Sequence, residues 1–221
     1  MSDDSFIREV DDELRQDRAK DLWRRYGIWV IAGAIAIVAG TAGIRGYQYW
    51  VDSQASASGD AFLQAMTLAN EGKSDEALAA LADLEKDGYG SYPVLARMRA
   101  ATVRAEKGDF DAAVKGFDAV AADSAIADAV RDMARLRAAF ILVDNGSRSD
   151  VATRVEQLTP DANPLRHSAR EALALADWKA GNASDALKLF EQISADETAP
   201  RNARQRAELM AELIRGSGGG S

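Results

Sequence analysis

Hydrophobic and polar positions follow two different regimes along this chain. Between residues 27 and 44, "GIWVIAGAIAIVAGTAGI", no charge occurs and no polar stripe interrupts the apolar residues. A helix that packs in a soluble core keeps a polar face. A hydrocarbon layer about 30 Å thick needs roughly 17–25 apolar residues in a helix. Tyr26 and Trp29 mark one end of the run and Tyr47, Tyr49 and Trp50 the other, the rings that favour membrane–water interfaces. The pattern predicts a transmembrane helix over residues 26–46. A cleaved signal peptide has a short basic lead and an apolar stretch of about 7–15 residues. Here some 25 mostly polar residues precede the run, although "AGTAG" (Ala39–Gly43) offers a cleavage site and keeps a released form as an alternative.

Flanking charge sets the expected orientation. Arg15, Arg18, Lys20, Arg24 and Arg25 precede the run, whereas Arg45 is the only basic residue after it until Lys73. The positive-inside bias keeps such an N-terminus cytoplasmic and sends the rest across. In a bacterium, that is a single-pass inner-membrane protein with a periplasmic C-terminal domain. Residues 1–25 read as an amphipathic cytoplasmic tail, with Phe6, Val10 and Leu14 on one face. Within the span, Ala32, Ala36 and Gly40 recur every four residues, a spacing of small residues that lets membrane helices approach closely. Residues 47–58, overlapping the small polar stretch "VDSQASASGD" (Val51–Asp60), read as a linker.

From about residue 59 the pattern becomes alanine-rich helix, broken at regular glycines. Gly72, Gly108, Gly146 and Gly181 are 36, 38 and 35 residues apart. Five positions after them stand Ala77, Ala113, Val151 and Ala186. Six after stand Leu78, Val114, Ala152 and Leu187; nine after, Leu81, Phe117, Val155 and Phe190; twelve after, Leu84, Val120, Leu158 and Ile193. These spacings share one helix face. Seven positions before the glycines stand Ala65, Ala101, Ala139 and Ala174. Each unit is therefore a helix, a glycine turn and a second helix, the alanine allowing close packing. Periods of this size indicate stacked helix pairs. The expected fold is all-α, with the transmembrane helix followed over residues 59–215 by about four helix pairs. A capping helix closes the stack, its outer face carrying Arg201, Arg204, Arg206, Glu208 and Glu212. The "GSGGGS" of residues 216–221 reads as a flexible tail.

Composition removes several functions. The net charge is −8, which disfavours a phosphate backbone as partner. There are no cysteines and one histidine, so no disulfide, thiolate metal site or multi-histidine site is available. His167 reads as an exposed helix residue. No phosphate loop or nucleophile motif is present. No cofactor, metal, small-molecule substrate or catalytic residue is expected, and the chain does not read as an enzyme. Tyr89 and Tyr92, between the first two units, are candidate protein-contacting aromatics or loop residues that pack helix ends. Trp178 reads as core.

The repeat resembles the tetratricopeptide pattern: a small residue seven before the turn glycine, alanine five after it, and an aromatic or aliphatic residue nine after it. It departs where an early aromatic is usual, with Ala61, Arg97, Arg135 and Arg170 in those places, and where a closing proline is usual, with Tyr89, Ala125, Asn163 and Thr198 there. The whole layout, "FIREVDDELRQDRAKDLWRRYG" before one span and a degenerate tetratricopeptide domain beyond it, resembles the ancillary Sec-translocon subunit family. That resemblance implies a membrane-anchored periplasmic scaffold near the translocon, working with periplasmic chaperones on newly exported chains. A tetratricopeptide adaptor for another envelope machine, in cell division or outer-membrane assembly, has the same layout and is the alternative.

Overall fold

The computed structural model describes the backbone of residues 3–218 and the side chains of residues 20, 22–29 and 31–218. Its elements are α1 (Asp3–Asn70), α2 (Ser74–Asp87), α3 (Tyr92–Glu106), α4 (Phe110–Ala122), α5 (Asp128–Asn145), α6 (Arg148–Val155) continued by a 3₁₀ turn (Glu156–Leu158), α7 (Arg166–Lys179), α8 (Ala183–Ala195) and α9 (Arg201–Gly216). No strand occurs among the described residues. The chain divides into two compact units, Met1–Gln54 and Ala55–Ser221.

The first unit belongs to α1. Ile28, Trp29 and Ile37 are each more than 70% exposed, and Ile31, Ile35, Val38 and Ile44 are exposed as well. By length and composition this is the one helix among the described residues that could cross a membrane. An apolar surface of this extent is stable only against another apolar phase. The Phe6, Val10 and Leu14 side chains of the expected amphipathic tail lie outside the described residues, as do residues 219–221 of the glycine–serine tail.

Residues 47–58, expected as a linker, are helical within α1. Small polar composition suggests a loop, but the segment holds no glycine or proline, and Ala55 and Ala57 favour helix.

In the second unit, the C-terminal part of α1 pairs with α2, α3 with α4, α5 with α6 and α7 with α8, and α9 covers α8. The aligned positions form the core. All four alanines seven before the glycines are fully buried, as are the residues five after. Those nine and twelve after are at most 5% exposed, and only Leu78 and Leu187, six after, remain half-buried. Paired helices approach closely at Gly116 of α4. A Cβ built there would lie 3.0 Å from the Ala101 Cβ of α3.

Three of the four glycine turns share one geometry. Gly72, Gly108 and Gly181 have φ of +78°, +84° and +84°. Their N–H groups donate to Ala69, Ala105 and Trp178, and the next N–H of each donates to Leu68, Arg104 and Asp177. That pair of bonds ends a helix in the Schellman manner, which needs the left-handed region. Gly146 differs: its backbone is extended, with φ −137°. There the second helix starts from a capping box, Ser147 with Asp150, so the turn does not depend on a left-handed residue.

Arginine and aspartate stand in for the missing aromatic and proline. Asp87, Asp123, Asp161 and Asp196 lie fifteen residues after the four glycines. Arg97 donates to Asp123 at 2.7 Å and to the Ala119 carbonyl, Arg170 to Asp161 at 2.5 Å, and Arg166 to Asp196 at 3.2 Å. Asp123 and Asp196 also accept the N–H two residues on, from Ala125 and Thr198. After α4 this turn closes the unit with no proline nearby, whereas Pro93, Pro160 and Pro200 lie in or beside the other closing segments.

On α9, Ala203, Ala207, Ala211 and Ile214 face α8. Its outer face carries the expected charges but also Leu209 and Leu213, at 66% and 55% exposure.

Candidate functional site

The first helices of the pairs carry a second stripe that the core covers only in part: Leu136 is buried, and Met98 and Leu175 pack against core clusters. At 3.6 residues per turn, positions thirteen, ten and six before each glycine fall within roughly 60° of helix arc, well away from the buried alanine at seven. On α3 these are Leu95, Met98 and Thr102, and on α5 they are Met133, Leu136 and Phe140. Leu95 is 45% exposed, and Met133 and Phe140 are each 37% exposed. Met66 on α1 and Met210 on α9 occupy the six-before position, counting Gly216 as the next glycine. All methionines after Met1 therefore fall on this stripe, at six, ten, thirteen and six positions before the glycines of four different helices, and Met98 and Met210 pack against core clusters. The repeat pattern of buried positions does not mark this stripe; the spacing of the methionines from the same glycines is its signal in the sequence.

The neighbouring helices are tied across this face. Arg137 of α5 donates to the Thr102 hydroxyl of α3 at 3.2 Å. Its guanidinium has no carboxylate partner among the described residues. Most arginines of α3, α5 and α7 do have one: Arg97 with Asp123, Arg99 with Glu106, Arg131 with Asp128, Arg135 with Asp132, Arg166 with Asp196 and Arg170 with Asp161. Charge is also segregated. Helices α3, α5 and α7 carry nine basic and six acidic residues, whereas α2, α4, α6 and α8 carry five basic and ten acidic.

Tyr89 and Tyr92 fall elsewhere. The Tyr89 N–H donates to the Ser58 hydroxyl of α1 at 2.9 Å. The Tyr92 ring lies 6.1 Å from Phe62 and its hydroxyl sits over Gly59. Both tyrosines are half-buried and pack helix ends. Trp178 is half-buried against the α7–α8–α9 core. Ala32, Ala36 and Gly40 are exposed, with open space at the Gly40 Cα.

His167 is a correction: it is buried at 7% exposure, with Nε2 2.7 Å from Asp196 Oδ2. Placing it on a first helical turn was right, but the loop after α8 folds over it. Asp196 is held far below the usual carboxylate range, first by the Thr198 hydroxyl, then by the His167 ring, the Thr198 N–H and Arg166. Asp177, 2% exposed, is paired with Arg148 at 3.0 Å and accepts from Asn182. Both acids tie one helix pair to the next segment, and each has its hydrogen bonds filled. No group of three or more histidine, aspartate or glutamate side chains is placed to hold a metal among the described residues.

Comparison with known proteins agrees with this architecture. The chain is 25% identical over 210 residues to the "Ancillary SecYEG translocon subunit" of Haemophilus influenzae, an alignment covering 92% of this chain and 96% of that protein. No solved structure matches. The sequence profile of the tetratricopeptide repeat-like domain matches residues 20–164, from the end of the tail through the third helix pair. The fourth pair and α9 continue the same spacing beyond the matched range. By that match and by its stacked helix pairs, the chain belongs to the tetratricopeptide repeat-like domain family.

Proposed function

We propose that this chain is a membrane-anchored protein-binding scaffold of the Sec export machinery. The apolar stretch of α1 holds it in the bacterial inner membrane, with residues 1–25 in the cytoplasm and the repeat domain in the periplasm. The repeat domain works beside the translocon and with periplasmic chaperones on newly exported chains. It contributes binding, not chemistry.

One observation carries the reading: a helix apolar and exposed all round joins, in one chain, a stack of helix pairs. The similarity to a translocon subunit across nearly the whole of both proteins supports the choice of machine. The small-residue face of Ala32, Ala36 and Gly40 suits contact with another membrane helix.

Purification of the full chain from mild detergent, with identification of co-eluting proteins, tests this. Recovery of translocon subunits is expected. Recovery of division or outer-membrane assembly proteins without translocon subunits contradicts it and favours the adaptor reading.

A further inference from the structure

We infer that one face of α1 binds an anionic phospholipid, with its headgroup at Lys20, Trp23 and Arg24 and an acyl chain along residues 31–42. The inference rests on the membrane anchorage in the proposed function and gives that anchor a ligand.

Three observations carry it. The first is a groove. Ile31, Ala34, Ile35, Val38, Ala39 and Ala42 line an open apolar trough of about 410 Å³. Ile31, Ile35 and Val38 stand out as exposed ridges, and the alanines leave the recess between them. Residues 31–42 rise about 16 Å along the helix, close to the roughly 15 Å of one leaflet in a 30 Å hydrocarbon layer. The trough therefore has the depth that one acyl chain spans.

The second is the charge in line with it. At 3.6 residues per turn, Lys20 and Arg24 fall on the same side of the helix as Ile31, Val38 and Ala42. Residues 15–25 carry five basic and two acidic side chains, whereas beyond the apolar run Arg45 is the only basic residue until Lys73. Arg24 is exposed and has no carboxylate partner among the described residues. A headgroup phosphate offers it a charge-assisted bond, and cations beside a span attract anionic lipid. The long stems of both side chains follow the apolar surface while their charges reach the headgroup.

The third is the junction between charge and groove. Gly27 lies between Arg24 and Ile31 on this side, and the Trp23 ring lies over it: a Cβ built at Gly27 would meet Trp23 Cε2 at 3.2 Å. The missing side chain makes room for the ring, which flanks the line from Arg24 to the trough. Trp23 is otherwise exposed. An indole favours the headgroup level, and its N–H donates to a phosphate or ester oxygen there. Ala32, Ala36 and Gly40 lie on roughly the opposite side of the helix. A lipid in the trough leaves that face open to another membrane helix.

The test equilibrates the full chain in mild detergent with equal amounts of phosphatidylglycerol and phosphatidylethanolamine of the same acyl chains. Lipid retained after purification is counted by mass spectrometry. About tenfold enrichment of phosphatidylglycerol is expected at low salt, shrinking as salt screens the headgroup contacts. Lys20→Gln combined with Arg24→Gln is expected to abolish the enrichment and leave retained phosphatidylethanolamine unchanged, whereas Arg45→Gln keeps it. Ala34→Phe combined with Ala42→Phe fills the trough and is expected to reduce both lipids several-fold. Excess glycerol phosphate, which has the headgroup chemistry without the chain, is expected to displace nothing. Equal retention of the two lipids, an Arg45→Gln loss as large as that of the double variant, or displacement by glycerol phosphate overturns the inference. All the substituted positions are exposed on α1, and an unchanged thermal midpoint confirms that each variant is folded. Flotation with zwitterionic vesicles reports anchorage and co-purification reports the translocon, so each of those readings is judged separately from the lipid site.

Discussion

Two phenylalanines on one helix give a direct test of how the stack is held together. Phe117 of α4 is 2% exposed and packs with Ala101, Val114, Val120, Ala134 and Ala138, which come from α3, α4 and α5. Phe110, seven residues earlier on the same helix, is 39% exposed. A buried phenylalanine removes some 150–250 Å² from water, and truncation to alanine leaves a cavity besides, for a cost of about 3–5 kcal/mol. The cavity at Phe117 sits between the second and third helix pairs. In a stack whose stability is a sum of neighbour interfaces, it weakens the junction as well as one unit. For a domain of this size each kcal/mol shifts the thermal midpoint by roughly 2–4 °C, so Phe117→Ala is expected to lower it by about 6–20 °C. Phe110 already leaves 39% of its surface in water, so Phe110→Ala removes less burial and is expected to cost about 1–2 kcal/mol. Thermal and urea unfolding of the full chain in detergent, followed by far-ultraviolet circular dichroism, measures both. Hydrogen exchange then locates the loss, which is expected in α3, α4 and α5 ahead of α8 and α9. Equal effects of the two substitutions, or a Phe117→Ala cost under about 1 kcal/mol, would refute the assignment of the core.

Further outcomes follow from the turns and ion pairs. Gly108→Ala is expected to destabilise by about 1–2 kcal/mol, because φ is +84° there and an L residue is strained although space for its Cβ is open. A neutral result in urea unfolding would contradict the left-handed turn. The carboxyl of Asp196 titrates lower in the folded chain than in the unfolded one. Its stabilisation is therefore complete above the unfolded value, near 4, and is lost as pH falls below it. Asp196→Asn should flatten the acid side of a stability-versus-pH curve measured between pH 3 and 7, and an unchanged acid slope would contradict this. Arg148→Met leaves the Asp177 carboxylate buried with Asn182 alone. It is expected to cost more than Arg148→Lys in the same assay, since an unpaired buried charge is the expensive outcome.

The fold was legible in the sequence where one residue type has one physical job. Alanine seven before each glycine marks close packing, and the residues nine and twelve after mark the buried face; all of these are buried as the spacing requires. Gly72, Gly108 and Gly181 fit one turn, but Gly146 aligns in sequence without sharing the conformation, because Ser147 and Asp150 begin α6 by themselves. What was not legible depended on tertiary contacts. His167 looked exposed because its own helix pattern leaves it outside, and only the loop carrying Asp196, 29 residues later, covers it. Residues 47–58 looked like a linker because polar small residues suit both loop and helix, and the context chose helix. The exposed apolar residues Leu95, Met133 and Phe140 form no contiguous motif and share a helix stripe only through the repeat.

The proposed topology puts the repeat domain beyond the inner membrane and the first 25 residues inside the cell. The natural absence of cysteine makes a direct measurement possible, with single cysteines introduced at Ser5 and at Glu212 and a membrane-impermeant maleimide applied to spheroplasts. Glu212→Cys is expected to be labelled in intact spheroplasts and Ser5→Cys only after lysis. Labelling of Ser5→Cys alone before lysis, or protection of Glu212→Cys until lysis, would contradict it.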